Sequence, residues 1–374
     1  MWAALMGLAI LADDLTGACD TGSLFAGVGA VPVTLWPAIE AIGDATAETG
    51  VRVVDTESRR LPAPAAAARV SRAARARPAS RYFKKIDSTM RGPIGAEVES
   101  LMTTVGAGCT LLCPAFPAQG RTVVDRQLAI GGVPIGETAF ARAGATRTTA
   151  STSSVIDILR PQLTRPVAWL PLAEVRAGVD ALRARLARLD GMIIVADAET
   201  DADLAALVDA ALALDSPPLL AGSAGLARAL AARLGVLVER VALPAARRWL
   251  VIAGSLHPAT RRQAETAHGA GLTVLASPDG HDDDAGDAAR RLAAQAALRL
   301  AEDPFDIVLA TGGDTALALY EALGAERLEL VGPPAPGLAL GRLGLPGGRE
   351  LWLVTKAGGF GDPDLFVSLA KAAA

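Results

Sequence analysis

Cysteine, histidine and aromatic residues are all scarce in this chain, and each scarcity closes off a class of function. The three cysteines among 374 residues, Cys19, Cys109 and Cys113, are odd in number and lack metal-ligand spacing. That excludes a disulfide scaffold and a zinc ribbon and points to a reducing compartment. Cys109 and Cys113 flank an apolar TLL and read as small core residues. Only His257, His268 and His281 are available for imidazole chemistry. His281 stands beside Asp282, Asp283 and Asp284, which reads as a solvated acidic loop at a helix start rather than a metal cluster. No G-x-S-x-G elbow accompanies the histidines, so Ser-His-Asp hydrolysis is disfavoured. The sequence has neither a GxxxxGK[ST] loop nor an early GxGxxG, which argues against a Walker-type NTPase and a dinucleotide dehydrogenase.

Long apolar runs are missing too. Residues 1–12 are apolar, but Asp13-Asp14 ends them and no basic segment precedes them. A buried first strand fits better than a signal peptide or membrane span, and a cytoplasmic location is expected. A net charge of −4 argues against a general binder of nucleic acid or anionic membranes. With 51% hydrophobic and 20% charged residues the composition is that of an ordinary globular protein, and the length suits two domains.

What is present gathers at strand ends. Tyr82 to Glu97 (YFKKIDSTMRGPIGAE) starts as a β-leaning run, stops at Asp87-Ser88-Thr89, and passes Arg91-Gly92 to a helix opened by Pro93. Lysines, a carboxylate, hydroxyls and an arginine thus crowd a crevice of the kind where parallel sheets bind ligands. Lys85, Ser88 and Arg91 suit a small molecule with a carboxylate and several hydroxyls. Read blandly, it is an N-capped turn with its lysines in water. Two more strand exits look alike: GLAILA runs into Asp13-Asp14-Leu15-Thr16-Gly17, and Val51–Val54 into Asp55-Thr56-Glu57-Ser58-Arg59. Paired carboxylates after a buried strand are costly unless partnered. Capping by Asp14 explains one of the two. Arg69, Arg72 and Arg75 at helical spacing read as a solvated helix face. PAFPAQGRTVVDRQL reads as a structured loop, residues 131–154 as irregular structure, and residues 172–189 as a helix.

After a composition shift at residues 235–248 the pattern becomes strand, glycine turn, helix, three times over. The turns are Gly254-Ser255-Leu256-His257, Thr311-Gly312-Gly313-Asp314-Thr315 and Lys356-Ala357-Gly358-Gly359. Such turns free backbone N–H groups for phosphates. Carboxylates and cations in one half with phosphate cradles in the other suggest phosphoryl transfer across a cleft that closes. The expected fold is α/β, with two domains at 1–240 and 241–374. Each is a mainly parallel sheet flanked by helices, and the active site lies in the interdomain cleft.

In order, LADDLTGACDTG, TESRRLP, KKIDSTMRGPIGAE, PAFPAQGRT, GSAGLA, GSLHPAT, TGGDT and KAGGFGDPD resemble the signatures of the four-carbon acid sugar kinases. The resemblance runs nearly end to end. It implies an N-terminal domain for the sugar acid, a C-terminal domain for ATP with Mg²⁺, and a tetronate such as threonate, erythronate or 3-oxo-tetronate as substrate. By position Asp13, Asp14, Lys85, Asp87 and Arg91 fall at the catalytic centre, and Thr16, Arg59, Ser88, Thr89 and Gly92 around the acid. Ser255, Gly312, Gly313, Asp314, Thr315, Gly358 and Gly359 fall at the nucleotide. Arg91 and Lys85 are read as holding the carboxylate, and one of Asp13, Asp14 and Asp87 as the general base. Where His257, Glu57, Ala316 and Ala357 stand, the family has other residues, which bears on nucleotide affinity and substrate choice. The alternatives are a sugar-acid-binding or regulatory protein that has lost phosphoryl transfer, and a kinase for a larger acid. Oligomeric state is not legible.

Overall fold

Leu8–Ala12 (LAILA) has no polar face, and as strand β1 it is buried along its whole length. Such a strand needs cover on both sides, which a parallel sheet between helical layers supplies. The computed structural model describes residues 7–36, 38–41, 49–138, 152–255, 257–277, 285–356, 359 and 361–374. The chain forms two units, Met1–Asp13 with Leu35–Leu237, and Asp14–Thr34 with Val238–Ala374. Residues 14–34 therefore fold with the C-terminal half, a crossing that a single boundary near residue 240 does not describe.

After β1 come α1 (Leu15–Ser23), β2 (Val31–Leu35), α2 (Ala38–Ala41), β3 (Val51–Asp55), α3 (Ala63–Ala76), β4 (Arg81–Lys85), α4 (Ile94–Val105) and β5 (Thr110–Cys113). Next are β6 (Arg121–Val124), β7 (Gln127–Ile130), β8 (Val133–Pro134), α5 (Val155–Leu159), β9 (Val167–Leu170), α6 (Leu172–Val175) and α7 (Val179–Leu186). Then β10 (Ile193–Ala196), α8 (Asp201–Leu212), β11 (Leu219–Gly222) and α9 (Ala224–Arg233) complete this half. The main sheet of the first unit has the order β3-β1-β4-β11-β5-β10-β9, all pairs parallel. Its register places Asp55, Ala12, Lys85, Gly222 and Cys113 in one row. Strands about 4.8 Å apart thus release their exit turns side by side.

The C-terminal half contributes β12 (Trp249–Ala253), α10 (Pro258–Gly269), β13 (Thr273–Ala276), α11 (Ala285–Glu302), β14 (Ile307–Thr311) and α12 (Gly313–Ala322). It ends with β15 (Arg327–Gly332), β16 (Leu338–Gly344), β17 (Glu350–Lys356) and α13 (Leu365–Ala373). In the second unit β13, β12, β14 and β17 pair in parallel, and Ala276, Ala253, Thr311 and Lys356 form the corresponding row. Strands β16, β15 and β2 continue that sheet antiparallel. Helix α1 packs on α12 and on β15, β16 and β17. Trp249, Val251, Ile307, Leu309, Val354 and Phe366 lie in its core. No helix among the described residues is long and apolar enough to cross a membrane.

Four readings need correction. PAFPAQGRTVVDRQL is not all loop, since β6 and β7 form a hairpin whose turn, Asp125-Arg126, is left-handed at both residues (φ 50° and 68°). Such turns usually carry glycine or asparagine, so the residues gave no signal; here Asp197 accepts from both turn amides, at 2.8 and 3.0 Å. The helix over 172–189 breaks into α6 and α7 at Gly178, where φ is 97°. The three-fold strand-turn-helix repeat omits β13 and the meander β15–β17. Arg69 is not simply solvated: it donates to Thr56 O and Glu57 O and stacks 4.8 Å from the Trp36 ring. Helical spacing says which face a residue occupies, not what that face meets. The cluster around His281 lies outside the described residues.

Candidate active site

The exit of β1 reaches Asp13, and its neighbour β3 delivers Arg59 at the same level. Ser58 and Arg59 donate their amides to Asp13 O at 3.1 and 3.2 Å, which turns the Arg59 side chain back onto the Asp13 carboxylate. There it makes a two-pronged pair, Nε–Oδ2 2.7 Å and Nη2–Oδ1 2.9 Å. On the other side of β1, the exit of β4 builds a second such pair. Arg91 meets Asp87 at 2.7 Å (Nε–Oδ2) and 2.9 Å (Nη2–Oδ1), and its amide adds a third bond at 3.2 Å. Thr89 donates its hydroxyl to the same carboxylate. Arg59 Nη2 stands 3.9 Å from Asp87 Oδ1 and links the pairs. The outcome is an alternating row, Asp13–Arg59–Asp87–Arg91.

Both arginines are set by constrained backbone. Glu57 and Met90 are left-handed (φ 46° and 62°) although neither is glycine, a conformation costing about 1 kcal/mol. Gly92 has φ 94°, and a methyl there would press on Arg59 O at 3.1 Å. The exposed parts are cationic: the Arg91 and Arg59 side chains are 32% and 17% accessible, against 9% for Asp87 and 1% for Asp13. Burial pushes the Asp13 carboxyl up, but Arg59, with Lys84 and Lys85 behind it, overrides this and holds it below the usual range. Burial acts likewise on Asp87, and Arg91, Arg59 and Thr89 hold it well below. Both stay ionised.

The lysines are not in water. Lys85 is buried with its ammonium on Ile86 O at 2.9 Å, so Arg59, not Lys85, stands beside Arg91. Lys84 is fully buried and pairs with Glu97 Oε2 at 3.0 Å. Burial raises the Glu97 carboxyl, Lys84 and Ser58 working against it. From Glu97 a hydrogen-bond chain runs through Ser58 and Thr56 to Ala12 O, so this pair braces the loop that carries Arg59. Glu97, Lys84, Ser58 and Arg69 were given no role from sequence, although a glutamate in the first turn of α4 on a buried face was a legible signal. Ser88 is partly exposed.

Asp14 and Thr16 belong to the second unit. Asp14 Oδ1 caps α1 through Gly17 N (3.0 Å), and Thr16 Oγ1 donates to Oδ2 (2.8 Å). A methyl at Gly313 would fall 2.7 Å from Asp14 Oδ2. Around the same edge, Thr315 Oγ1 occupies the space a side chain at Gly254 would need, and the His257 ring does so at Gly359. Gly312 has φ 90° and donates to Lys356 O at 3.3 Å. The Ser255 amide meets Thr311 Oγ1 at 3.4 Å, and Ser255 Oγ accepts from His257 N at 3.3 Å. His257 Nδ1 caps α10 through Ala259 N at 3.1 Å. Asp314 lies in the first turn of α12, and Gly358 lies outside the described residues. At three strand exits glycine lets Thr315, Asp14 and the His257 ring pack against the backbone where a side chain would stand, and glycine turns that enter helices suit a phosphate-bearing ligand.

Comparison with known proteins gives two consecutive domains, the first of which includes residues 14–34 that pack with the second unit. Residues 8–230 match the family described as a sugar-binding N-terminal domain, and residues 270–366 match a nucleotide-binding C-terminal domain. A D-threonate kinase of Salmonella typhimurium is 32% identical, over 95% of this chain and 96% of that one. A 3-oxo-tetronate kinase of Cupriavidus necator is 29% identical, over 96% and 95%. A crystal structure from Bordetella bronchiseptica, a domain-swapped dimer with bound citrate, is 32% identical, covers 98% of each chain and has a TM-score of 0.51. With two consecutive domain matches and relatives of this kind along nearly its whole length, the chain belongs to the four-carbon acid sugar kinases, phosphotransferases that act on a hydroxyl group.

Proposed function

We propose that this chain transfers the γ-phosphoryl group of ATP to a hydroxyl of a four-carbon sugar acid of the D-threonate type. The first unit takes the acid and the second the nucleotide. The observation that carries this reading is the row Asp13–Arg59–Asp87–Arg91 at the sheet edge of the first unit. Its accessible guanidinium groups suit a carboxylate, which an arginine fork meets with two parallel bonds. The carboxylates behind them hold the arginines in place and offer their remaining lone pairs to hydroxyls. Asp13 accepts two bonds from Arg59, whereas Asp87 accepts from Arg91, its amide and Thr89. Asp13 therefore keeps more acceptor capacity, and it is our choice to orient the attacking hydroxyl and take its proton.

In the second unit the glycine turns at 254, 312–313 and 359 would receive the triphosphate. Magnesium, when bound, neutralises charge developing on the phosphoryl oxygens. A panel of four- to six-carbon sugar acids, assayed by coupled ADP release, tests the proposal. Turnover is expected with threonate ahead of five- and six-carbon acids. ATP binding without turnover on any acid would overturn it in favour of a binding protein.

A further inference from the structure

We infer that Asp14 is a residue of the nucleotide site, and that its carboxylate serves the divalent cation carried by ATP rather than a hydroxyl of the sugar acid. The inference rests on the reading that the second unit binds ATP. Asp13 and Asp14 are one peptide bond apart, yet only Asp13 belongs to the unit that contains Arg59, Asp87 and Arg91. Asp14 opens α1, which packs on α12. Its carboxylate stands where residue 313 would carry a side chain, 2.7 Å from that position, and glycine at 313 makes the room. The Thr16 hydroxyl and the Gly17 amide fix its orientation.

The placement is odd for a site that receives anions. A glycine turn entering a helix attracts phosphate, and a carboxylate on that turn repels it at short range. A cation between the two turns repulsion into attraction. Magnesium is commonly held in this way, by one or two carboxylates together with substrate phosphates. The sugar-acid row meanwhile is complete without Asp14, since its two carboxylates are matched by its two arginines.

Calorimetric titration of the full chain with the non-hydrolysable analogue adenylyl-imidodiphosphate, with Mg²⁺ and with EDTA, tests this on wild type and Asp14→Asn. Asparagine keeps the cap of α1. Wild type should bind more tightly with Mg²⁺. In the variant that Mg²⁺-dependent gain should shrink by about tenfold or more, with binding in EDTA not weakened and threonate affinity within about twofold of wild type. Gly313→Ala, whose methyl presses on the same carboxylate from α12, should repeat the loss of the Mg²⁺-dependent gain while Asp14 itself is retained. A variant that keeps the full Mg²⁺ gain, or that loses threonate affinity instead, overturns the inference. Wild type that binds no analogue under either condition overturns the ATP reading itself, a failure visible without any variant.

Discussion

Arg91 reaches Asp87 with two parallel bonds, and its side chain stays 32% accessible. A lysine at 91 would keep the charge but lose the fork. Arg91→Lys should lower kcat/KM by about a hundredfold, the equivalent of roughly 3 kcal/mol, with the melting temperature little changed; steady-state kinetics over threonate concentration checks it. Asp87 is held well below the ordinary carboxylate range, so its contribution to stability is present above about pH 4 and is lost as pH falls through the folded value. Lys356 is likewise held below its ordinary value, so stability again rises with pH, here at the alkaline end, although its lowered value reflects a cost of burial rather than a favourable partner. Fully buried, its ammonium is pushed down to about 8 by burial, with Thr260 Oγ1 3.5 Å away. Between pH 8 and about 10.4 the unfolded chain binds a proton that the folded chain does not, so stability should rise with pH there. The rise attributable to this group is roughly 3 kcal/mol. In Lys356→Met it should vanish, as denaturant melts of both proteins across that range would reveal; equal slopes would refute the assignment.

At the scale of elements, exit turns rather than strands set this chemistry, and each is held by a side chain from elsewhere. Asp197, at the end of β10, accepts both amides of the β6–β7 turn. Asp197→Ala would leave two left-handed turn residues without that support. A loss of about 1–3 kcal/mol is expected, with faster amide exchange at Asp125 and Arg126 than at β5. Hydrogen exchange by mass spectrometry measures this, and unchanged protection in the hairpin would show that Asp197 is not its anchor. In the second unit the same logic appears as glycine, with Gly254, Gly313 and Gly359 each facing a side chain that fills the Cβ position.

For the molecule as a whole, the consequential feature is that residues 14–34 fold with residues 238–374. Strand β2 covers the β15 edge and α1 lies on α12 and three strands. A fragment of residues 238–374 would expose that edge and that apolar face. It should show no cooperative thermal transition by circular dichroism, whereas a chain joining 14–34 to 238–374 through a flexible linker should show one. A sharp transition in the shorter fragment would sink this view.

Sequence by itself determined the α/β class, most parallel strands, the buried cysteines and the family, because buried strands need continuous apolar runs and exit turns need glycine or capping residues. It also drew attention to Asp13, Asp87 and Arg91, since charge at the end of a buried strand has to be matched. What it could not supply were partners. Arg59 on Asp13, Arg69 on the 56–57 turn and Glu97 on Lys84 join residues 12 to 46 apart in the chain, and only the packing of strands and helices brings them together. Asp13 and Asp14 look equivalent as neighbouring letters. The tertiary structure separated them, because just past the end of β1 Asp13 turns to the Arg59 guanidinium while Asp14 caps α1, and each settles in a different unit.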